Sequence, residues 1–181
     1  MTIKDINLLG NNSIIGAFLL SIAIFSEIAG LFTQHYLGFA PCSLCVEMRA
    51  YIALIGLGAV FLLLAGSNGA KRHKLLVTTG FTVAIIASVK TFLIARVGLL
   101  IERGEILSTC SAQSSFPSYL PLDTWLPSVF MHFGVCGKSP VIAFNFTIME
   151  LSFYGFAALS LLIIALSIFT IRRSFSALPR N

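Results

Sequence analysis

The chain has 181 residues, 57% of them hydrophobic and only 10% charged, with a mean hydropathy of +0.94. A soluble domain carries about 25% charged residues, so a water-soluble globular fold is excluded and an integral membrane protein, folded as one compact bundle, is indicated. The formal charge of +5 calls for no nucleic-acid partner, because basic residues collect on the cytoplasmic side of membrane proteins.

Residues 1–13 are polar, with Lys4 and Asp5, and read as a short cytoplasmic tail. Ile14 to Thr33 is an apolar run of twenty residues, enough to cross about 30 Å of hydrocarbon as a helix. A signal peptide would have a shorter apolar core and a small-x-small cleavage site, so a retained transmembrane helix is expected. Glu27 falls inside it, and a carboxylate there costs on the order of 3 kcal/mol on insertion scales. It is either a functional group or a carboxylate bonded to a neighbouring helix or protonated in place. Gln34 to Ala40 forms a short outer turn in which His35 reads as a hydrogen-bonding surface residue.

The stretch Pro41-Cys42-Ser43-Leu44-Cys45-Val46-Glu47-Met48-Arg49 follows. If a helix starts near Pro41, Cys45 and Arg49 stack on one face, one turn apart. A sulfur near a helix N-terminus with a guanidinium beside it is pushed toward thiolate, the form that attacks disulfides. Cys42–Cys45 is a poor staple, since closing so short a loop is worth only about 2 kcal/mol against roughly 3.5 for a loop of 27. A zinc ribbon needs a second close pair, and Cys110 and Cys136 lie far apart. The pair is therefore read as a redox centre at a membrane surface.

A second helix is expected over about Cys45 to Ala65, with Gly56 and Gly58 suited to close contact. The turn from Gly66 to Lys74 holds Lys71, Arg72 and Lys74, a basic cluster that marks it as cytoplasmic. Arg172, Arg173 and Arg180 near the other end agree, so both termini are expected inside and the Cys pair outside. A third helix runs from Leu75 to about Ala95, with Lys90 and Arg96 near its outer end, able to snorkel. Arg96 is also a candidate for fixing an anionic or quinone-type ligand. Residues 97–148 form the long outer loop. In it Leu122, Leu126, Val129, Phe130 and Phe133 fall on one helical face, as in a short amphipathic helix lying on the bilayer or capping the bundle. Pro117, Pro121 and Pro127 keep that helix short. Met149 to Ile171 is the fourth helix, with Glu150 at its outer mouth.

The expected architecture is thus all-α, a single transmembrane domain over 1–181. Its four helices span about 14–33, 45–65, 75–95 and 149–171, with periplasmic loops at about 34–44 and 97–148. All four cysteines fall outside, where disulfides persist. Cys42 and Cys45 sit at the membrane edge, and Cys110 and Cys136 ride on the long loop. Thiolate attack through mixed disulfides would pass electrons from a partner to the loop pair and on to the membrane pair. A lipid-soluble acceptor is the simplest sink. A haem protein is disfavoured, because His35, His73 and His132 read as loop residues.

Glu27, Gln34-His35, Pro41-Cys42-x-x-Cys45, Arg49, the segment Phe116-Pro-Ser-Tyr-Leu-Pro-Leu-Asp-Thr-Trp-Leu-Pro-Ser-Val-Phe130 and Cys136 together resemble the disulfide bond formation protein B (DsbB) family. The resemblance covers most of the chain, and the Phe116–Phe130 segment is far more specific than a bare Cys-x-x-Cys. It implies a thiol:quinone oxidoreductase of the bacterial inner membrane that reoxidises a periplasmic DsbA-type thiol oxidase. By that analogy Cys110 is attacked by the partner, and Cys136 resolves through a transient bond with Cys42. Cys45 contacts the quinone (ubiquinone or menaquinone), Arg49 holds its ring, and Glu47 and Arg96 are further candidates for the quinone site. Two positions depart from the family pattern. Glu47 stands two residues before Arg49 rather than directly before it, and Arg96 and Val97 occupy the outer position of the third helix where a histidine is absent. A vitamin K epoxide reductase-like enzyme is the competing quinone-linked reading, opposed by the helix order and the Phe116–Phe130 segment. A non-enzymatic stapled scaffold is the third, and it requires that Cys42→Ser and Cys45→Ser leave function intact.

Overall fold

A computed structural model describes residues 3–65, 70–107, 116–118, 120–137, 139, 141–143 and 145–176. The turn at 66–69, Cys110 and Arg180 lie outside the described residues. Four long helices dominate: α1 (Ile3–His35), α2 (Ser43–Ala65), α3 (Ala70–Glu102) and, last in the chain, α6 (Ile148–Ser176). Each contains a stretch apolar enough to span a bilayer, over Asn12–His35, Ser43–Ala65, Arg72–Glu102 and Ile148–Thr170. Hydrocarbon offers backbone groups no water, so only structures that satisfy every N–H and C=O internally can cross it. Two buried hydroxyls inside the spans obey the same rule. Thr91 Oγ1 donates to the Ala87 carbonyl at 2.9 Å and Ser160 Oγ to the Phe156 carbonyl at 2.7 Å, each one turn back. The expected all-α four-helix membrane bundle is what the chain forms.

The helices run antiparallel in sequence order, with α1 packed on α2, α2 on α3 and α3 on α6. Leu19, Ile55, Leu62 and Ile163 are fully buried at the centre. Close approach depends on small residues: a Cβ on Gly58 would lie 2.8 Å from the Gly80 carbonyl oxygen, and one on Gly16 2.9 Å from that of Ala59. Among the described residues α1 and α6 share no comparable packed face, and the gap between them becomes important below.

Several boundaries differ from the sequence reading. α3 continues to Glu102, because Gly98-Leu99-Leu100-Ile101 prolongs the apolar run past Arg96. It stops only at Gly104, whose φ of +73° suits glycine. Lys90 and Arg96 therefore sit within the helix rather than at its end, both exposed. His35 closes α1 and His73 lies in the first turns of α3, where its Nδ1 is 2.9 Å from the Ala65 carbonyl oxygen; neither is a loop residue.

The amphipathic stretch of the second outer loop forms two single turns, α4 (Leu122–Trp125) and α5 (Pro127–Phe130). Leu126, with φ −134° and ψ 67°, breaks them apart, since the residue before a proline is driven out of the α region. Phe130 is buried and meets Phe116 edge-on at 5.7 Å. Phe133, expected on the same face, lies beyond the helical turn and is 72% exposed. A short antiparallel pair, β1 (Val141–Ala143) and β2 (Phe146–Thr147), leads into α6.

Candidate functional site

The N-terminus of α2 faces the returning second loop. Pro41 offers its carbonyl to two backbone donors, Phe133 N at 3.1 Å and Gly134 N at 3.0 Å. That pinning sets the segment after α5 against the Cys-x-x-Cys turn. Cys136 is buried with Cys42 and Ile101 in one small cluster, against which Leu44 and Cys45 pack. Ser43 Oγ stands 3.9 Å from Cys136 Sγ. Cys136 is disulfide-bonded, whereas Cys42 and Cys45 are free thiols. The backbone N–H of Cys45 donates to Cys42 Sγ at 3.3 Å, the geometry of a first helical turn. A side-chain hydrogen bond with Cys45, reinforced by burial, pushes the Cys42 thiol well above its ordinary value. Cys42 is therefore held protonated.

One turn further along α2, Arg49 is only 7% exposed. Its guanidinium donates to the carbonyls of Gly30 at 2.7 Å and Val129 at 2.9 Å, and to Gln34 Oε1. Glu27 lies within electrostatic reach of it, and Glu27 Oε1 is buried with no hydrogen-bond partner among the described residues. The membrane carboxylate and the guanidinium thus offset each other on facing helices. His35, as expected, makes a surface hydrogen bond, with Nε2 3.0 Å from the Ser128 carbonyl oxygen.

Cys45 and Arg49 both open onto a cavity of about 570 Å³ between α1 and α6, with the start of α2 as its floor. Ile22, Phe25, Ile52, Phe156, Leu159 and Leu162 supply apolar walls. Gly155 lines it too, and a Cβ there would meet nothing within 4 Å. Such a slot, apolar and open between two helices with a cation and cysteine sulfurs at its end, suits a flat lipid-soluble ring with polar oxygens. Cys42 and Cys136 also line the cavity, so three of the four cysteines reach it. Glu47 and Arg96 are not brought there. Glu47 lies two residues before Arg49, about 200° around the helix, and faces Lys90 of α3. Arg96 is exposed elsewhere on α3. Gln34 and Gly30 took no individual role in the sequence reading. Their four-residue spacing puts both on one face of α1, but nothing in the sequence says that the face meets Arg49.

The sequence model of the family described as Disulfide bond formation protein DsbB matches residues 12–166. The disulfide bond formation protein B of Shewanella frigidimarina is 35% identical over 145 residues, covering 78% of this chain and 81% of the relative. That of Shewanella loihica is 31% identical over 157 residues, 84% and 85% of the two chains. That of Pasteurella multocida is 28% identical over 156 residues, 86% and 85%.

Proposed function

The chain belongs to the DsbB family of disulfide bond formation membrane proteins, and on that premise we propose that it is a thiol:quinone oxidoreductase reoxidising a DsbA-type thiol oxidase. The observation that carries the reading is the burial of Cys136 beside Cys42, with Cys45 packed against both. A sulfur of the long loop and the sulfurs of the membrane pair thereby share one enclosure.

The exchange sequence balances as follows. A thiolate of the reduced partner attacks Cys110 in a Cys110–Cys136 disulfide, forming a mixed disulfide and releasing Cys136 as thiolate. Cys136 then attacks Cys42 of an oxidised Cys42–Cys45 pair, and Cys45 leaves as thiolate. The partner's second thiolate attacks its own sulfur in the mixed disulfide and departs oxidised, freeing Cys110. Cys110 attacks Cys136, restoring the loop disulfide and releasing Cys42, which takes up a proton. Two electrons have moved from partner to membrane pair, each step an attack of thiolate on disulfide. The elevated affinity of the released Cys42 for its proton keeps it from attacking the restored loop disulfide, because the thiolate and not the thiol is the nucleophile.

A quinone held in the cavity would supply a two-electron, two-proton acceptor for the reduced Cys42 and Cys45. Arg49 and Cys45 are the residues that would hold it. A DsbA-type oxidant near −120 mV can only be reoxidised by a high-potential acceptor, which favours a quinone. Glu47 and Arg96 stand outside the lined cavity and take no part in this scheme. The cysteines and the cavity mouth are assigned to the periplasmic side of the inner membrane, with both termini cytoplasmic.

The test is reconstitution of the purified protein with a reduced DsbA-type partner and ubiquinone-1. Wild type is expected to oxidise partner thiols and reduce quinone in equal amounts. Cys110→Ala is expected to lower that turnover at least about 1,000-fold, as loss of a nucleophilic or electrophilic centre does, while the quinone stays bound. Normal turnover by the variant would remove Cys110 from the scheme.

A further inference from the structure

Arg49 is gripped from two other elements, α1 and α5. Nη2 donates to the Gly30 carbonyl in α1, and Nη1 donates both to the Val129 carbonyl in α5 and to Gln34 Oε1 in α1. Three of the five guanidinium donors are thereby committed to the protein. Gln34 also reaches outward, its Nε2 donating to the Ser128 carbonyl at 3.3 Å. A single amide thus bridges the buried cation to the backbone of the second outer loop. His35 meets the same Ser128 carbonyl from the next residue of α1, so the loop has a fastening that does not touch Arg49. Gly30 completes the seat, since a Cβ there would come to 3.2 Å from Arg49 Nε.

Resting on the functional reading above, we infer that Gln34 is a positioning residue for quinone recognition, its amide oxygen setting the guanidinium of Arg49 so that the uncommitted N–H groups serve the cavity. A guanidinium is planar, and its donors act as a fixed fork; turning it about its stem turns all of them together. Gly30 and Val129 hold one edge each through a single bond. The second acceptor on Nη1 removes the remaining rotation, and Gln34 is the only side chain among the described residues that supplies it. Gln34 does this from the end of α1 where the helix lines the cavity with Thr33, so seat and slot move as one body.

The test is equilibrium binding of ubiquinone-1 and of menadione to the purified, quinone-stripped full-length protein, followed by titration calorimetry. Gln34→Ala is expected to raise the Kd about fivefold, equivalent to ~1 kcal/mol. Gln34→Glu keeps an oxygen acceptor opposite Nη1 and is expected to restore binding to within about twofold of wild type. His35→Ala, which loses only the Ser128 contact, is expected to stay within the same limit. In steady state the quinone KM follows the Kd, while kcat and the KM for the thiol partner hold, which also reports an intact fold. Unchanged binding by Gln34→Ala overturns the inference. So does an equal loss in His35→Ala, because the effect would then run through loop docking. Arg49→Ala separates the two levels. If it weakens binding while Gln34→Ala does not, only the positioning role fails. If neither weakens it, or wild type binds neither probe, the quinone reading fails with it.

Discussion

Cys42 and Cys45 differ in chemistry although three residues apart, because the helix begins between them. Cys42 stands before the first turn, buried, and shares a hydrogen bond with the Cys45 side chain that favours its protonated form. A raised pKa keeps the thiolate fraction of Cys42 small at neutral pH, and its reactivity climbs only as pH rises beyond the ordinary thiol range. In the reduced protein, alkylation of Cys42 by iodoacetamide is therefore expected to keep accelerating above pH 9. Cys45→Ala removes the leading cause of the shift, and the Cys42 rate at pH 8 is expected to rise about tenfold, the equivalent of one pKa unit. Mass spectrometry of the Cys42 peptide across pH 6–10 measures it. A profile unmoved by Cys45→Ala would mean that burial alone holds the proton. At this scale much was legible: the Cys-x-x-Cys spacing and an arginine one turn on pointed to residues that line one cavity. Glu47 was expected at the quinone site with Arg49, yet its two-residue offset turns it about 200° away around the helix, and it does not line the cavity.

The helices carry the site by approaching closely at small residues. Gly58 of α2 lies on Gly80 of α3, where a Cβ would stand 2.8 Å from a backbone oxygen and 3.1 Å from the Ala84 nitrogen. Backbone cannot yield as a flexible side chain does, so Gly58→Val is expected to force the helices apart and to destabilise by about 1–3 kcal/mol, the usual cost of overpacking. Gly56→Ala, whose new Cβ would meet only Ala23 Cβ at 3.5 Å, is expected to be nearly neutral. Thermal unfolding in detergent distinguishes the two, and equal midpoints would place the close contact elsewhere. The short elements show the opposite limit. Pro127 was visible in the sequence as a stop, yet the residue it acts on is Leu126, and the expected single amphipathic helix is realised as two turns with a break between them.

Across the whole molecule, the described cysteines, Arg49 and the cavity all lie at one end of the bundle, with the start of α1 and the end of α6 at the other. The basic residues Lys71, Arg72 and Lys74 belong by chain order to that second end, which the proposed topology assigns to the cytoplasm by the positive-inside rule. An impermeant thiol reagent applied to intact cells is expected to label Ser118→Cys and to spare Ser67→Cys, each read as added mass over the wild-type background. Labelling of Ser67→Cys, or of both, would invert or abolish the periplasmic assignment and with it the exchange scheme.

Hydropathy and residue spacing, read along one dimension, were enough to determine the number of membrane spans and to set the Cys-x-x-Cys pair and Arg49 one turn apart at a helix start, because each is a local property of a window of residues. The union of Gln34, Gly30 and Val129 around one guanidinium was decided in three dimensions, as was the enclosure of Cys136 with Cys42. So was the slot left where α1 and α6 fail to pack. Those contacts join residues up to 94 positions apart, and they depend on how each helix is rotated about its axis. Lipid-facing and core-facing positions are alike apolar in a membrane protein, so the amphipathic stripe that reveals rotation in a soluble helix is missing.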